Sequence, residues 1–127
     1  MTVHVMDNFT AWLNPRGDSD PQSAMTKCRS YVYCPFLKGS RLYVCSLPPT
    51  AEYYNNKFAA SIIADPGIDI FDSTLNGWRI LNTLNRPVET CRFSACHYEL
   101  KPWESTREPR AEDYEPGPGA AETVPAP

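Results

Sequence analysis

Alternation of apolar and polar residues predicts a small β-hairpin in the first half of the chain. Residues 41–44 (Arg-Leu-Tyr-Val) alternate as a half-buried strand does. Residues 38–40 (Lys-Gly-Ser) contain the glycine and serine typical of a turn. We therefore interpret residues 31–33, the turn at 38–40 and residues 41–45 as a hairpin. Residues 68–71 predict a further short extended segment.

Apolar residues at helical spacing predict two helices. The first is opened by the prolines at 48–49, with Thr50 as its expected cap, and it ends before the turn at 65–67. The second is expected over 74–84, capped by Ser73 and stopped by Pro87. Each helix has one apolar face, formed by Ala51, Tyr54, Phe58 and Ile62 in the first and by Trp78, Ile80, Leu81 and Leu84 in the second. The expected class is α+β, with this hairpin and these two short helices around a cysteine-ligated metal site.

Composition divides the 127 residues unevenly. Residues 101–127 carry the whole net charge of −3 and are rich in proline, with few large apolar side chains. Such a segment buries too little surface to offset the entropy of ordering it, so we expect disorder from Arg110 onward. The predicted organisation is a lead-in at 1–27, a domain at 28–108 and a disordered acidic tail at 109–127. The tail is either a solvated end or a partner-binding segment.

Composition and patterning exclude several classes of function. No stretch approaches 18 apolar residues, which argues against a membrane span, and a net acidic chain argues against nucleic-acid binding. Residues 1–14 show no secretory signal pattern, so a cytoplasmic location is expected. A cysteine nucleophile would need a paired base, for which only His4 and His97 are available.

Five cysteines are the main candidate chemistry, and they fall into two groups. These are Cys28, Cys34 and Cys45 in the first group and Cys91 and Cys96 in the second. A reducing cytosol disfavours structural disulfides, so such a grouping favours a metal site over unrelated buried thiols. A domain of about 100 residues also gains from a metal staple. Four thiolates suit an iron–sulfur cubane or tetrahedral zinc equally well, and His97 could replace a thiolate at zinc.

The cysteine segments resemble those of a known family. Residues 28–45, with CPFLKGSRLYVC at their end, are similar to the "C…CxxLRDGKLYxC" segment of the SPASM or "twitch" extension of radical S-adenosylmethionine proteins. Downstream, YYNNKF, IDI, GWRILNTLNRP, CRFSAC and WESTRE resemble further motifs of that extension in the same order, from Cys28 to Glu108. The chain departs from the pattern in its Ser40 and in the Cys-x4-Cys spacing of its last pair.

The resemblance implies an auxiliary [4Fe–4S] cluster. Its ligands would be Cys28 and Cys45 from the hairpin and Cys91 and Cys96 from the later pair. Cys34 would be an alternative to Cys28 or a neighbouring thiol. The Cys-x3-Cys-x2-Cys motif of the catalytic cluster is absent from the sequence, and the chain is too short for the catalytic barrel. The resemblance therefore implies an accessory and not an enzyme on its own.

Two functions remain open from the sequence. The first is a free-standing cluster-binding module that transfers electrons, or binds a substrate or partner, in trans with a radical S-adenosylmethionine enzyme. The second is a structural zinc module that binds a protein partner. In the first case the surface that would dock on a barrel is expected to be exposed, with Leu47, Tyr54 and Trp78 as its candidates.

Overall fold

The computed structural model describes residues 7–28, 35–104 and 108–117. Over these ranges the expected α+β class is confirmed, with three α-helices and two small antiparallel sheets. The helices are α1 (Pro21–Lys27), α2 (Leu47–Phe58) and α3 (Gly77–Leu84). The strands are β1 (Asn8–Leu13), β2 (Phe36–Lys38), β3 (Arg41–Tyr43), β4 (Ile68–Asp69) and β5 (Ser94–Pro102). Two 3-10 turns span Glu89–Phe93 and Ala111–Tyr114.

The predicted turn at Gly39-Ser40 joins β2 to β3. Lys38 pairs with Arg41, which leaves a two-residue loop whose φ angles are 55° and 63°. Two successive positive φ values are typical of the type I′ turn, whose twist matches that of a hairpin. The first strand of the hairpin is 36–38, and residues 31–33 lie outside the described residues. Strand β4 extends this sheet beside β3, which confirms the predicted extended segment for Ile68–Asp69, whereas residues 70–71 form a turn.

The second sheet pairs β1 with β5, and its register runs from Asn8 opposite Pro102 to Leu13 opposite Ser94. A register shift falls between Ala11 and Leu13, both of which are buried. The described part of the predicted lead-in is thus a component of the fold. It also contains α1, which begins at Pro21. Asp20 caps this helix, because its carboxylate accepts from the Ser23 amide at 2.9 Å.

Both predicted helices form, with different starting points, and α2 ends at Phe58, so Ile62 of its predicted apolar face lies beyond the helix. Helix α2 begins at Leu47, before Thr50, because Pro48 and Pro49 fit a first turn in which amide hydrogens have no partner. The Thr50 hydroxyl does not cap the helix and instead donates to the Ser46 carbonyl at 2.6 Å. Helix α3 begins at Gly77, and its cap is Asn76, which accepts from the Arg79 amide at 2.9 Å. The expected Ser73 cap was therefore wrong by one turn.

One core joins the second sheet to α2. It is formed by five buried residues, namely Leu13, Leu47, Ala51, Ile62 and Phe93. Trp12, Cys45 and Tyr54 pack against this cluster from its edges. In the described ranges, no helix has the length and apolar character that a bilayer crossing requires.

The described part of the predicted tail differs from the expectation of disorder. Residues 108–117 contain the 3-10 turn Ala111–Tyr114, and Tyr114 packs edge-on against Tyr54 with ring centroids 5.5 Å apart. The Lys101 ammonium donates to the Glu112 carbonyl at 2.6 Å, which fixes the turn beside β5. Residues 118–127 lie outside the described residues.

Candidate metal centre

Three of the predicted ligands, Cys28, Cys45 and Cys91, line one small cavity of about 20 Å³. Apolar side chains, including Met25 and Val44, form most of its remaining wall. The volume is close to that of one water-sized group. Thiols from both predicted cysteine groups are thus brought together, although Cys28 and Cys91 are far apart in sequence.

A local feature of the chain positions each of these three thiols. Cys28 caps the C-terminus of α1, where its amide donates to the Met25 carbonyl at 3.1 Å. Cys45 lies between β3 and α2, where the Leu47 amide donates to its sulfur. Cys91 lies within the 3-10 turn Glu89–Phe93, and its amide donates to the Val88 carbonyl at 2.9 Å. Amide donation to sulfur favours the thiolate form that metals bind.

Burial and mutual proximity favour the protonated form of Cys45 and Cys91. The pKa of Cys45 is raised to about 12, chiefly by burial, with the nearby Cys28, Cys91 and Asp65 acting in the same direction. Burial also raises the pKa of Cys91, with Cys28 and Asp65 acting in the same direction. Several negative charges in one apolar cavity repel one another, and a bound cation reverses that effect.

Asp65 and Thr90 support this region, and the sequence pattern did not single them out. The Asp65 amide donates to the Thr90 hydroxyl at 3.0 Å, and the Asp65 carboxylate accepts from the Gly67 amide at 2.9 Å. Thr90 itself lines the thiol cavity. The Asp-Pro-Gly signal at 65–67 predicted the turn, but a carboxylate near two thiols has no local signature.

The other predicted ligands are placed differently. Cys96 lies half-buried on β5 and is not among the residues that line the thiol cavity. Cys34 and His4 lie outside the described residues, and His97 is exposed on β5. Among residues 7–28, 35–104 and 108–117, no group of three or more His, Cys, Asp or Glu side chains is arranged to hold a metal ion.

An exposed apolar surface lies on and beside α3. None of the residues of α3 is buried, and Trp78 and Leu81 are 78% and 53% exposed. Phe71, in the turn that precedes the helix, is 79% exposed. Of the expected docking residues, Trp78 is therefore exposed, Tyr54 is half-buried and Leu47 belongs to the core.

Comparisons with protein-family models, curated proteins and solved structures found no match to this chain.

Proposed function

We propose that this protein is a thiolate metal-binding module that acts as an accessory to another protein. The observation that carries the proposal is the cavity shared by Cys28, Cys45 and Cys91. Unrelated buried cysteines have no reason to gather from three separate elements in one apolar cavity. Soft thiolate donors suit iron–sulfur clusters and zinc.

The donor types fit such a group, and its binding requires a local rearrangement. The three thiols share a cavity, yet no described set of donors is arranged around a single ion. The fourth ligand is either Cys96, displaced onto β5, or Cys34. Metal binding is then coupled to a closing of this part of the chain.

We propose a [4Fe–4S] cluster as the bound group, on the strength of the resemblance to the SPASM extension. Such a cluster would supply an electron-transfer centre or an anchor for substrate. A specific observation favours zinc as the second candidate, because the cavity of about 20 Å³ has room for one ion as it stands, whereas a cubane requires the local rearrangement to enlarge it. The zinc form would be a structural module that binds a protein partner.

The partner in the first case would be a radical S-adenosylmethionine enzyme that lacks its own auxiliary domain. The exposed side chains of Phe71, Trp78 and Leu81 form the surface that we assign to it. Large apolar side chains exposed on and beside one helix are typical of protein–protein contacts. The module would not generate a radical on its own, because its sequence lacks the three-cysteine motif that leaves an iron open.

Anaerobic reconstitution with iron and sulfide, followed by metal and sulfide analysis, tests the bound group. The cluster form predicts about four iron and four sulfide per chain. Stoichiometric zinc without sulfide would assign the second candidate, and the absence of any bound metal would refute both. Cys45→Ala and Cys91→Ala are expected to abolish binding. Cys34→Ala and Cys96→Ala are then compared, and the variant that loses the metal identifies the fourth ligand.

The accessory role has its own test. Cluster-loaded protein is expected to co-purify a barrel-containing radical enzyme from its native cell, and Trp78→Glu is expected to lose that enzyme while it keeps its metal. The exposed Leu100 on β5 offers a matched control, and Leu100→Glu is expected to retain the enzyme. Production of 5′-deoxyadenosine by the isolated chain under strong reductant would contradict the accessory role.

A further inference from the structure

A second cavity lies between β1, α2 and the 3-10 turn Ala111–Tyr114, and no cysteine is among the residues that line it. Its volume is about 320 Å³, within the range of small-molecule sites. Aromatic side chains dominate its wall, and they are Trp12, Tyr53, Tyr54, Phe58 and Tyr114. Nothing in the proposed metal chemistry uses this cavity.

Mutual contacts hold three of these rings in place. The ring centroids of Tyr54 and Phe58 are 4.8 Å apart, those of Tyr54 and Tyr114 are 5.5 Å apart, and those of Phe58 and Tyr114 are 5.8 Å apart. The ring planes are inclined at 56° to 89° to one another, so faces and edges point in different directions. A ligand therefore meets a set of rings already ordered by their own packing, which reduces the entropy lost on binding.

The charges around this cavity favour a cationic ligand. Lys57 lines the cavity, but its ammonium is paired with the carboxylate of Glu108. Glu112 and Glu115 lie close enough to Tyr54 that, together with its burial, they raise the pKa of its hydroxyl. The surroundings thus carry more negative than positive charge.

Aromatic rings of this cavity already interact with ammonium groups of the protein. The Lys38 ammonium lies 4.6 Å from the centroid of the Tyr53 ring, and the Lys57 ammonium lies 6.0 Å from that of Phe58. Both distances are within the range of cation–π attraction. Two hydroxyls of the wall already have partners within the protein. Thr50 donates to the Ser46 carbonyl, and the Tyr53 hydroxyl accepts from Lys38.

A methylated ammonium group matches this aromatic wall. It is positively charged, it has an apolar surface, and it needs no hydrogen-bond acceptor. We propose that the aromatic cavity between β1, α2 and Tyr114 binds a methylated ammonium group, carried either by a free choline-like molecule or by a methylated lysine of another protein.

Calorimetric titration of the full chain tests the proposal directly. The probes are choline, a peptide that contains trimethyllysine, and 3,3-dimethylbutan-1-ol, the uncharged isostere of choline. A methylated ammonium probe is expected to bind at least about tenfold more tightly than the uncharged alcohol, the factor that a desolvated cation–π contact of about 1.4 kcal/mol supplies. Tighter binding of choline identifies a free molecule as the ligand, and tighter binding of the peptide identifies a modified protein. Equal binding of the alcohol, or no binding of either cation, would overturn the proposal.

Variants locate the site. Tyr114→Leu is expected to weaken binding about tenfold, whereas Tyr114→Phe keeps the ring and is expected to stay within about twofold of the unmodified protein. The Glu112→Gln/Glu115→Gln double variant leaves the rings unchanged and is expected to weaken binding severalfold, with a smaller effect at high salt. Unchanged affinity in both Tyr114→Leu and the double variant would refute this location. Metal content is measured in the same variants and is expected to be unchanged, so a failure here is distinct from a failure of the metal proposal.

Discussion

The hydroxyl of Thr90 donates to the backbone carbonyl of Ile63 at a distance of 2.7 Å. The same oxygen accepts from the Asp65 amide at 3.0 Å, and the side chain is only 1% exposed. Two backbone groups of the segment after α2 are thereby satisfied by one side chain of the 3-10 turn that carries Cys91. This hydroxyl therefore helps to fix the position of Cys91 relative to the core.

Replacement of that hydroxyl by a methyl group tests its contribution. Thr90→Val keeps the side-chain shape but removes two part-buried hydrogen bonds, to the Ile63 carbonyl and from the Asp65 amide, at an expected cost of about 1–3 kcal/mol in the free energy of unfolding. Thr90→Ser keeps the hydroxyl and is the matched control, with an expected cost below that of valine. Urea denaturation of the metal-free protein measures both. Equal midpoints for valine and the unmodified protein would contradict the assignment.

Two glycines with positive φ differ in the space around them. Gly17 has a φ of 69°, and a Cβ there would lie 2.7 Å from the ring of Phe93, whereas Gly39 has a φ of 55° and no heavy atom within 4 Å of such a Cβ. Gly39→Ala is expected to cost about 1–2 kcal/mol from backbone strain alone. Gly17→Ala adds overpacking of the core, about 1–3 kcal/mol more. Thermal unfolding of the two variants measures the difference, and a smaller loss for Gly17→Ala would refute the packing argument.

Asp72 connects the turn before α3 to that helix and supports a pH prediction. Hydrogen bonds from the Thr74 amide and hydroxyl, together with one from the Arg79 guanidinium, lower the pKa of Asp72 to about 2. Because the folded-state pKa is lowered, the stabilisation is present above about pH 4 and is lost as the pH falls toward 2. Carboxyl chemical shifts followed by NMR are expected to give a midpoint near 2. Arg79→Met removes one of the three hydrogen bonds and is expected to raise this midpoint.

Cys45 gives the opposite pH dependence in the metal-free protein. Its pKa is raised from 9.0 to about 12, so its contribution to stability is complete below pH 9 and is lost as the pH rises toward 12. The free energy of unfolding is expected to fall more steeply above pH 9 in the unmodified protein than in Cys45→Val. The difference in slope is at most about 1.4 kcal/mol per pH unit. Identical slopes would show that Cys45 titrates as freely in the folded chain as in the unfolded one.

Local signals in the sequence predicted the elements that depend on local interactions. The turn at Gly39-Ser40 and the apolar face of α2 are examples, because each rests on neighbours a few residues away. The predicted cap of α2, Thr50, lies inside the helix, because the prolines before it already belong to the first turn. Helix α1 has an equally local signal, Asp20 before Pro21, which the interpretation of residues 1–27 as a lead-in overlooked.

Elements that depend on distant partners were not predicted. The pairing of β1 with β5 joins residues near the two ends of the described chain. Alternation of apolar and polar residues can predict a strand, but it does not indicate which other strand it pairs with. Cys96 was expected to be a ligand together with Cys91, and its place on β5 follows from the pairing of that strand with β1. The grouping of cysteines in the sequence predicted that Cys45 and Cys91 would belong to one site, and both line one cavity. It did not predict that Asp65 would lie close to both.

The pairing of β1 with β5 also determines the order in which the chain can fold during its synthesis. Strand β1 is made early, but its partner emerges only after the residues up to Pro102 have been translated. Until then the strand has an unpaired edge. Ala11 and Leu13, which are buried in the folded chain, remain exposed to solvent during this time. The hairpin β2–β3 and helix α2 are free of this delay, because they close over short loops. The nascent chain is therefore most exposed to misassembly at β1, and that exposure lasts until β5 has left the ribosome.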